Sequence, residues 1–122
     1  MLPKINRIKK KKDFETIFKN SKSFRNNLFI FKTRKNNLKL NRFGFVVSQK
    51  VSKKATLRNK IKRRLGEAIR DKMENIEIGT DLVFITLPGI EKKEFSEIKK
   101  AVEDSLVKAK LVAGENNNRL PS

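Results

Sequence analysis

The sequence contains no cysteine, histidine, tryptophan or tyrosine. The first absence excludes disulfides and thiolate nucleophiles, and the second excludes an imidazole general base. Together they exclude a Cys/His zinc site. Acidic residues are scarce, 13 against 31 Lys and Arg, which leaves a net charge of +18. Apolar runs extend over only a handful of residues, so no membrane-spanning helix is expected. The basic start MLPKINRIKKKK is not followed by the apolar segment of a secretory signal. What remains is 122 residues with 37% hydrophobic and 36% charged side chains, suited to one compact domain. The expectation is a soluble cytoplasmic protein with a polyanionic partner.

The charge is segregated. Residues 1–72 hold 24 Lys/Arg and 4 Asp/Glu, whereas residues 73–122 hold 7 and 9. A merely solubilising surface would mix both signs along the chain. Segregation on this scale points to a binding surface for polyphosphate built from the N-terminal part.

Local patterns divide the chain into a basic arm over 1–12, one domain over 13–112 and a flexible tail over 113–122. Lys9 to Lys12 form a like-charge run expected to need a partner to become ordered. Phe14, Ile17 and Phe18 at i, i+3, i+4 predict a short helix with acids in its first turn. Leu28-Phe29-Ile30-Phe31 predicts a strand, and Arg42 to Ser48 its hairpin partner. Gly44 inside that second strand predicts a close approach by another group. Leu57, Ile61, Leu65, Ala68, Ile69 and Met73 recur at helical spacing and predict a helix from about Thr56 to Met73. Leu82-Val83-Phe84-Ile85 predicts a strand buried on both faces, and Pro88-Gly89 a break. A final helix is predicted from about Lys92 to Leu111. The fold class is α+β, a single-domain α-β-β-α-β-α sandwich with a small central sheet.

The helix after Thr56 is where the charge takes shape. On a helical wheel, Leu57, Ile61, Leu65, Ala68 and Ile69 share one arc, while Asn59, Lys62, Arg63, Gly66 and Arg70 fall nearly opposite. Arg58, Lys60, Lys62, Arg63 and Arg64 place five cations in seven residues, with no acid before Glu67. Arg58 sits in the first turn, where the helix dipole disfavours positive charge and bound phosphate would reverse the penalty.

The stretch Ala55-Thr56-Leu57-Arg58-Asn59-Lys60-Ile61-Lys62-Arg63-Arg64-Leu65-Gly66-Glu67-Ala68 resembles the R-N-R-x-K-R-x-x-R-E signature of the bacterial ribonuclease P protein component family. Phe43-Gly44-Phe45-Val46-Val47-Ser48-Gln49-Lys50-Val51 is similar to that family's G-x-x-V-S-K-K segment, and RIKKKKDFETIFK from Arg7 resembles its opening. Three segments match in order across most of the chain. Lys60 stands in place of the second Arg of the signature, Gly66 in place of a further Arg, and Gln49 in place of a Lys. Lys60 keeps the charge without the guanidinium fork.

The resemblance implies an α-β-β-α-β-α fold with a left-handed β-α-β crossover. It also implies a role as protein subunit of an endoribonuclease that removes the 5′ leader of precursor tRNA. Catalysis would belong to the RNA subunit with Mg²⁺, and no protein partner would be required. Arg58, Asn59, Lys60, Lys62, Arg63 and Arg64 would bind the catalytic RNA. Phe14, Phe18, Phe31, Ser48 and Lys50 would bind the leader, because aromatic faces accept any base by stacking. From residue type alone, Phe14 and Phe18 on one side of a short helix favour a core; the resemblance makes the cleft an equal reading. Phe29, Phe43, Phe45, Phe84 and Phe95 fit the core. Consistent with RNA catalysis, the first 66 residues carry only Asp13 and Glu15 as carboxylates. Whether the protein itself holds a metal is open at this level.

The alternative within the same electrostatics is a small basic ribosomal or other structural RNA-binding protein. A DNA-binding module lacks a preceding helix at helix-turn-helix spacing. A cationic membrane-surface protein would have to expose the apolar seam that the helix needs for its core.

Overall fold

A computed structural model describes residues 2–111. The predicted flexible tail at 113–122 lies outside the described residues. Three helices and four strands follow in the order α1 (Lys11–Lys19), β1 (Lys22–Arg25), β2 (Phe29–Lys35), β3 (Arg42–Val46), α2 (Ala55–Arg70), β4 (Thr80–Thr86) and α3 (Phe95–Lys108), with 3-10 turns at Lys4–Asn6, Met73–Asn75 and Ile90–Lys92. The predicted single α+β domain is thus present, with one strand more than the sequence pattern announced.

The sheet order is β1-β2-β4-β3. β1 and β2 form a tight antiparallel hairpin, closed by Asn26, whose side-chain oxygen accepts from the amides of Leu28 and Phe29 at 2.7 and 2.9 Å. β2 runs antiparallel to β4, and β3 runs parallel to β4. The predicted β2–β3 hairpin is therefore incorrect: β4 is inserted between them. Its continuous apolar run explains the placement, since Leu82, Val83 and Phe84 are fully buried and need cover on both faces and neighbours on both edges.

Alternation along the strands sorts the two faces. On one face Phe24, Phe31, Phe84 and Phe45 lie in register across all four strands, with successive ring centroids 5.8, 5.1 and 5.8 Å apart. These rings belong to the large core built with Ile61, Leu65 and Ile69 of α2 and Ile98, Val102 and Leu106 of α3. On the other face a smaller cluster of Ile8, Ile17 and Val83 seats α1. The α1 end is also tethered electrostatically. Arg42 grips the buried Asp81 with two hydrogen bonds (2.9 and 2.8 Å) and reaches Asp13 of α1 at 3.3 Å. The bonds to Asp81 hold the guanidinium pKa above its already high ordinary value.

The N-terminal segment is part of the body rather than a separate arm. Leu2 is 3% exposed and packs with the large core, Ile8 is buried, and the Ile8 amide donates to Phe43 O at 2.8 Å. Arg7 fastens the turn by donating twice to Leu2 O (2.8 and 2.6 Å). Only the cations of the run stay outside: Lys9 to Lys12 are all exposed, the last two already within α1. The apolar residues at 2 and 8 anchor what the surrounding charge suggested would be loose.

Candidate nucleic-acid interface

Helix α2 buries Ile61, Leu65, Gly66, Ala68 and Ile69 and leaves Asn59, Lys60, Lys62 and Arg63 exposed. Its first turn follows a loop in which the Ser48 and Ser52 hydroxyls accept from the amides of Lys50 and Lys54 at 3.2 and 3.1 Å. Lys54, the N-cap, offers no side-chain cap. Arg58 is half-buried and donates to Ser52 O at 3.0 Å, so part of its task is to fix this loop. Ser48 and Lys50 are exposed on the loop.

Arg64 is placed differently from the other cations. It is half-buried and donates to Lys93 O at 3.2 Å, on the flank toward the turn before α3. That matches its position beside the apolar arc rather than opposite it. The exposed face therefore consists of Asn59, Lys62 and Arg63, with Lys60 on its border.

The ion pairs between described side chains lie elsewhere. Lys72 meets Glu103 at 3.5 Å, Lys99 meets Asp71 at 3.0 Å, and Lys93 and Lys100 pair along α3 with Glu97 and Asp104. Among the described residues, no carboxylate comes within 4.0 Å of Arg58, Lys60, Lys62, Arg63 or Arg64. Clustered cations without internal partners create a strong positive potential that a polyanion would neutralise.

The second candidate surface lies on the opposite side of the sheet. Phe18 is 44% exposed and Phe14 is half-buried, with their ring centroids 6.2 Å apart. Phe14 sits so closely over β3 that a Cβ on residue 44 would lie 2.7 and 2.9 Å from its ring atoms. The close approach predicted at Gly44 is thus made by Phe14. Phe31 does not join them. It is 1% exposed and stacked on Phe84 at 5.1 Å, on the face that carries α2 and α3. Its expected place in the cleft fails on strand parity: Phe31 points away from α1, and its neighbours Ile30 and Lys32 point toward it. Beside α1 the register aligns Arg25, Ile30, Ile85 and Val46, the last three half-buried, and Lys32 donates to Ser23 Oγ at 2.7 Å. The period-two rule applied to Leu28–Lys32 directs Ile30 and Lys32, not Phe31, toward α1.

Among the described residues, no three carboxylates gather into a group that could hold a metal ion. None of the helices there is long and apolar enough to cross a membrane.

The Ribonuclease P family pattern matches residues 2–110. A ribonuclease P protein component of Clostridium kluyveri is 41% identical over 108 residues, covering 86% of this chain and 95% of that one. Its counterpart in Alkaliphilus oremlandii is 35% identical over 108 residues, covering 88% and 94%. The solved structure of the Staphylococcus aureus RNase P protein superposes with a TM-score of 0.81 at 32% identity, covering 88% of this chain and 97% of that one. With sequence motifs, fold order and relatives in agreement, the chain belongs to the ribonuclease P protein component family of bacteria, the protein part of a ribonucleoprotein endoribonuclease.

Proposed function

We propose that this protein grips the RNA subunit of ribonuclease P with the α2 face and the loop before it, and receives the single-stranded 5′ leader of precursor tRNA in the groove between α1 and the sheet. The observation that carries the reading is the set of cations on α2 that no described carboxylate neutralises. Lys62, Arg63, Asn59 and Lys60 contact phosphates of the RNA, while Arg58 fixes the loop at the helix start, Arg64 ties the helix flank to the turn before α3, and both add charge. In the groove, Phe14 and Phe18 stack on bases, Ile30, Ile85 and Val46 form the floor, and Lys32, Arg25, Lys50 and Ser48 meet the backbone of the strand. Stacking carries no sequence demand, which suits leaders of differing sequence.

Hydrolysis of the phosphodiester falls to the RNA subunit with Mg²⁺ in this reading, which the lack of His and Cys for proton transfer or nucleophilic attack supports. The protein acts in the cytoplasm and needs no protein partner. A purely structural RNA-binding protein would share the α2 face but has no use for an aromatic pair on the other face of the sheet.

The test is the salt dependence of binding to ribonuclease P RNA. Lys62→Ala with Arg63→Ala is expected to weaken binding and to lower the slope of log K against log salt by about one unit per lost phosphate contact. An unchanged slope means that this face does not touch phosphate.

A further inference from the structure

Between the two surfaces, the outer edge of β3 opens into a cleft of about 430 Å³ that shares Phe14 with the groove and Lys62 and Arg63 with the α2 face. It wraps the strand edge, with Phe14, Ile8 and Gly44 on one side of the sheet and Phe45, Leu2 and Gly66 on the other. Arg7, Lys62 and Arg63 bring positive charge to it, and among the described residues no carboxylate lines it. The volume lies in the range of sites that hold a small organic ligand.

The strand edge supplies polar groups at its floor. Among the described residues, the N-terminal segment pairs with β3 at Arg7 and Phe43 alone, where Ile8 N donates to Phe43 O. Two residues along a strand, backbone groups point the same way. The N–H and C=O of Phe45 therefore face outward as those of Phe43 do, but the chain has by then turned away into α1. A donor and an acceptor side by side, between apolar walls and beside cationic side chains, match the hydrogen-bonding edge, ring faces and phosphate of a nucleotide.

We propose that this cleft takes one unstacked purine nucleotide of the ribonuclease P RNA. The base edge pairs with the Phe45 backbone, the rings lie against Phe14 and Phe45, and the phosphate meets Lys62 and Arg63. The proposal rests on the reading that α2 grips this RNA and adds to it a single-nucleotide socket. Gly66 is part of the design. A Cβ there would lie 3.9 Å from Phe45 and 4.0 Å from Leu2, so a methyl fits while a longer side chain projects into the cleft. The glycine at this position leaves that space open.

Two measurements test it on the full chain. In the first, Gly66→Ala is expected to bind ribonuclease P RNA as the unaltered protein does, and Gly66→Leu at least tenfold more weakly with an unchanged melting temperature. Equal binding by Gly66→Leu overturns the socket. Failure of the unaltered chain to bind this RNA overturns the proposed function and the socket with it. In the second, amide resonances are followed during titration with adenosine 5′-monophosphate or inorganic phosphate. The nucleotide is expected to shift Gly44 and Phe45, and phosphate only Lys62 and Arg63. Identical shifts from both, confined to the two cations, overturn the socket even if Gly66→Leu misfolds.

Discussion

Gly44→Ala isolates the contact on which the α1 groove depends. The added methyl would lie 2.7 and 2.9 Å from Phe14 Cε1 and Cζ and 3.5 Å from Ile8 Cβ. Ordinary carbon contacts are about 3.5–4.0 Å, so the Phe14 ring must withdraw by roughly 1 Å while Ile8 can stay. The helix cannot follow as a body, because Ile17 is buried and Asp13 is held by Arg42. Overpacking of this kind costs about 1–3 kcal/mol, offset by about 0.5–1 kcal/mol from removing a strand glycine. The net expectation is about 0–2.5 kcal/mol of lost stability, a fall of up to about ten degrees in melting temperature. In a Phe14→Ala background the obstructing ring is gone, and the same substitution should be neutral or mildly stabilising. Urea unfolding of the four proteins in this cycle measures the coupling directly. Equal effects of Gly44→Ala in both backgrounds would refute the contact and the placement of α1 that follows from it.

The two faces of the sheet predict opposite behaviour for two phenylalanines. Phe18→Ala removes a half-exposed ring and should cost under about 1 kcal/mol of stability while weakening binding of leader-bearing precursor tRNA about tenfold; equal losses for mature tRNA would return Phe18 to a packing role. Phe31→Ala removes a fully buried ring and should cost about 3–5 kcal/mol, and a melting temperature within a degree or two of the unaltered protein would contradict its assignment to the core. Asp81→Ala leaves Arg42 without its bidentate partner and should cost about 3–5 kcal/mol. Asp13→Ala, at a half-exposed position, should cost far less in the same denaturant titration, and reversal of that order would overturn the network.

What the sequence made legible was what repeats. The 3.6-residue seam from Leu57 to Ile69 located α2 to within a few residues, and the apolar run at 82–85 announced a strand buried on both faces. That second observation already implied two neighbouring strands, but adjacency in sequence favoured a β2–β3 hairpin, and nothing local in either strand encodes its partner. β1 escaped notice because Lys22-Ser23-Phe24-Arg25 carries one apolar residue; its pairing with β2 is set by the Asn26 turn. Phe31 was misplaced although strand alternation puts it beside Phe29, facing the core. Arg64 went with the other cations by composition, whereas its angle on the helix assigns it to the α3 flank. The N-terminal segment shows the same competition, with sixfold charge between residues 4 and 12 outweighing, in the pattern, the two apolar residues that anchor it.

The central claim is that the polypeptide holds RNA while the RNA breaks the bond. Cleavage of precursor tRNA by a bacterial ribonuclease P RNA at low Mg²⁺, with and without the purified protein, tests it most directly. A marked rise in cleavage on adding the protein, together with no cleavage by the protein alone, is the predicted result. Metal-dependent cleavage by the rigorously purified protein in the absence of RNA subunit would contradict it.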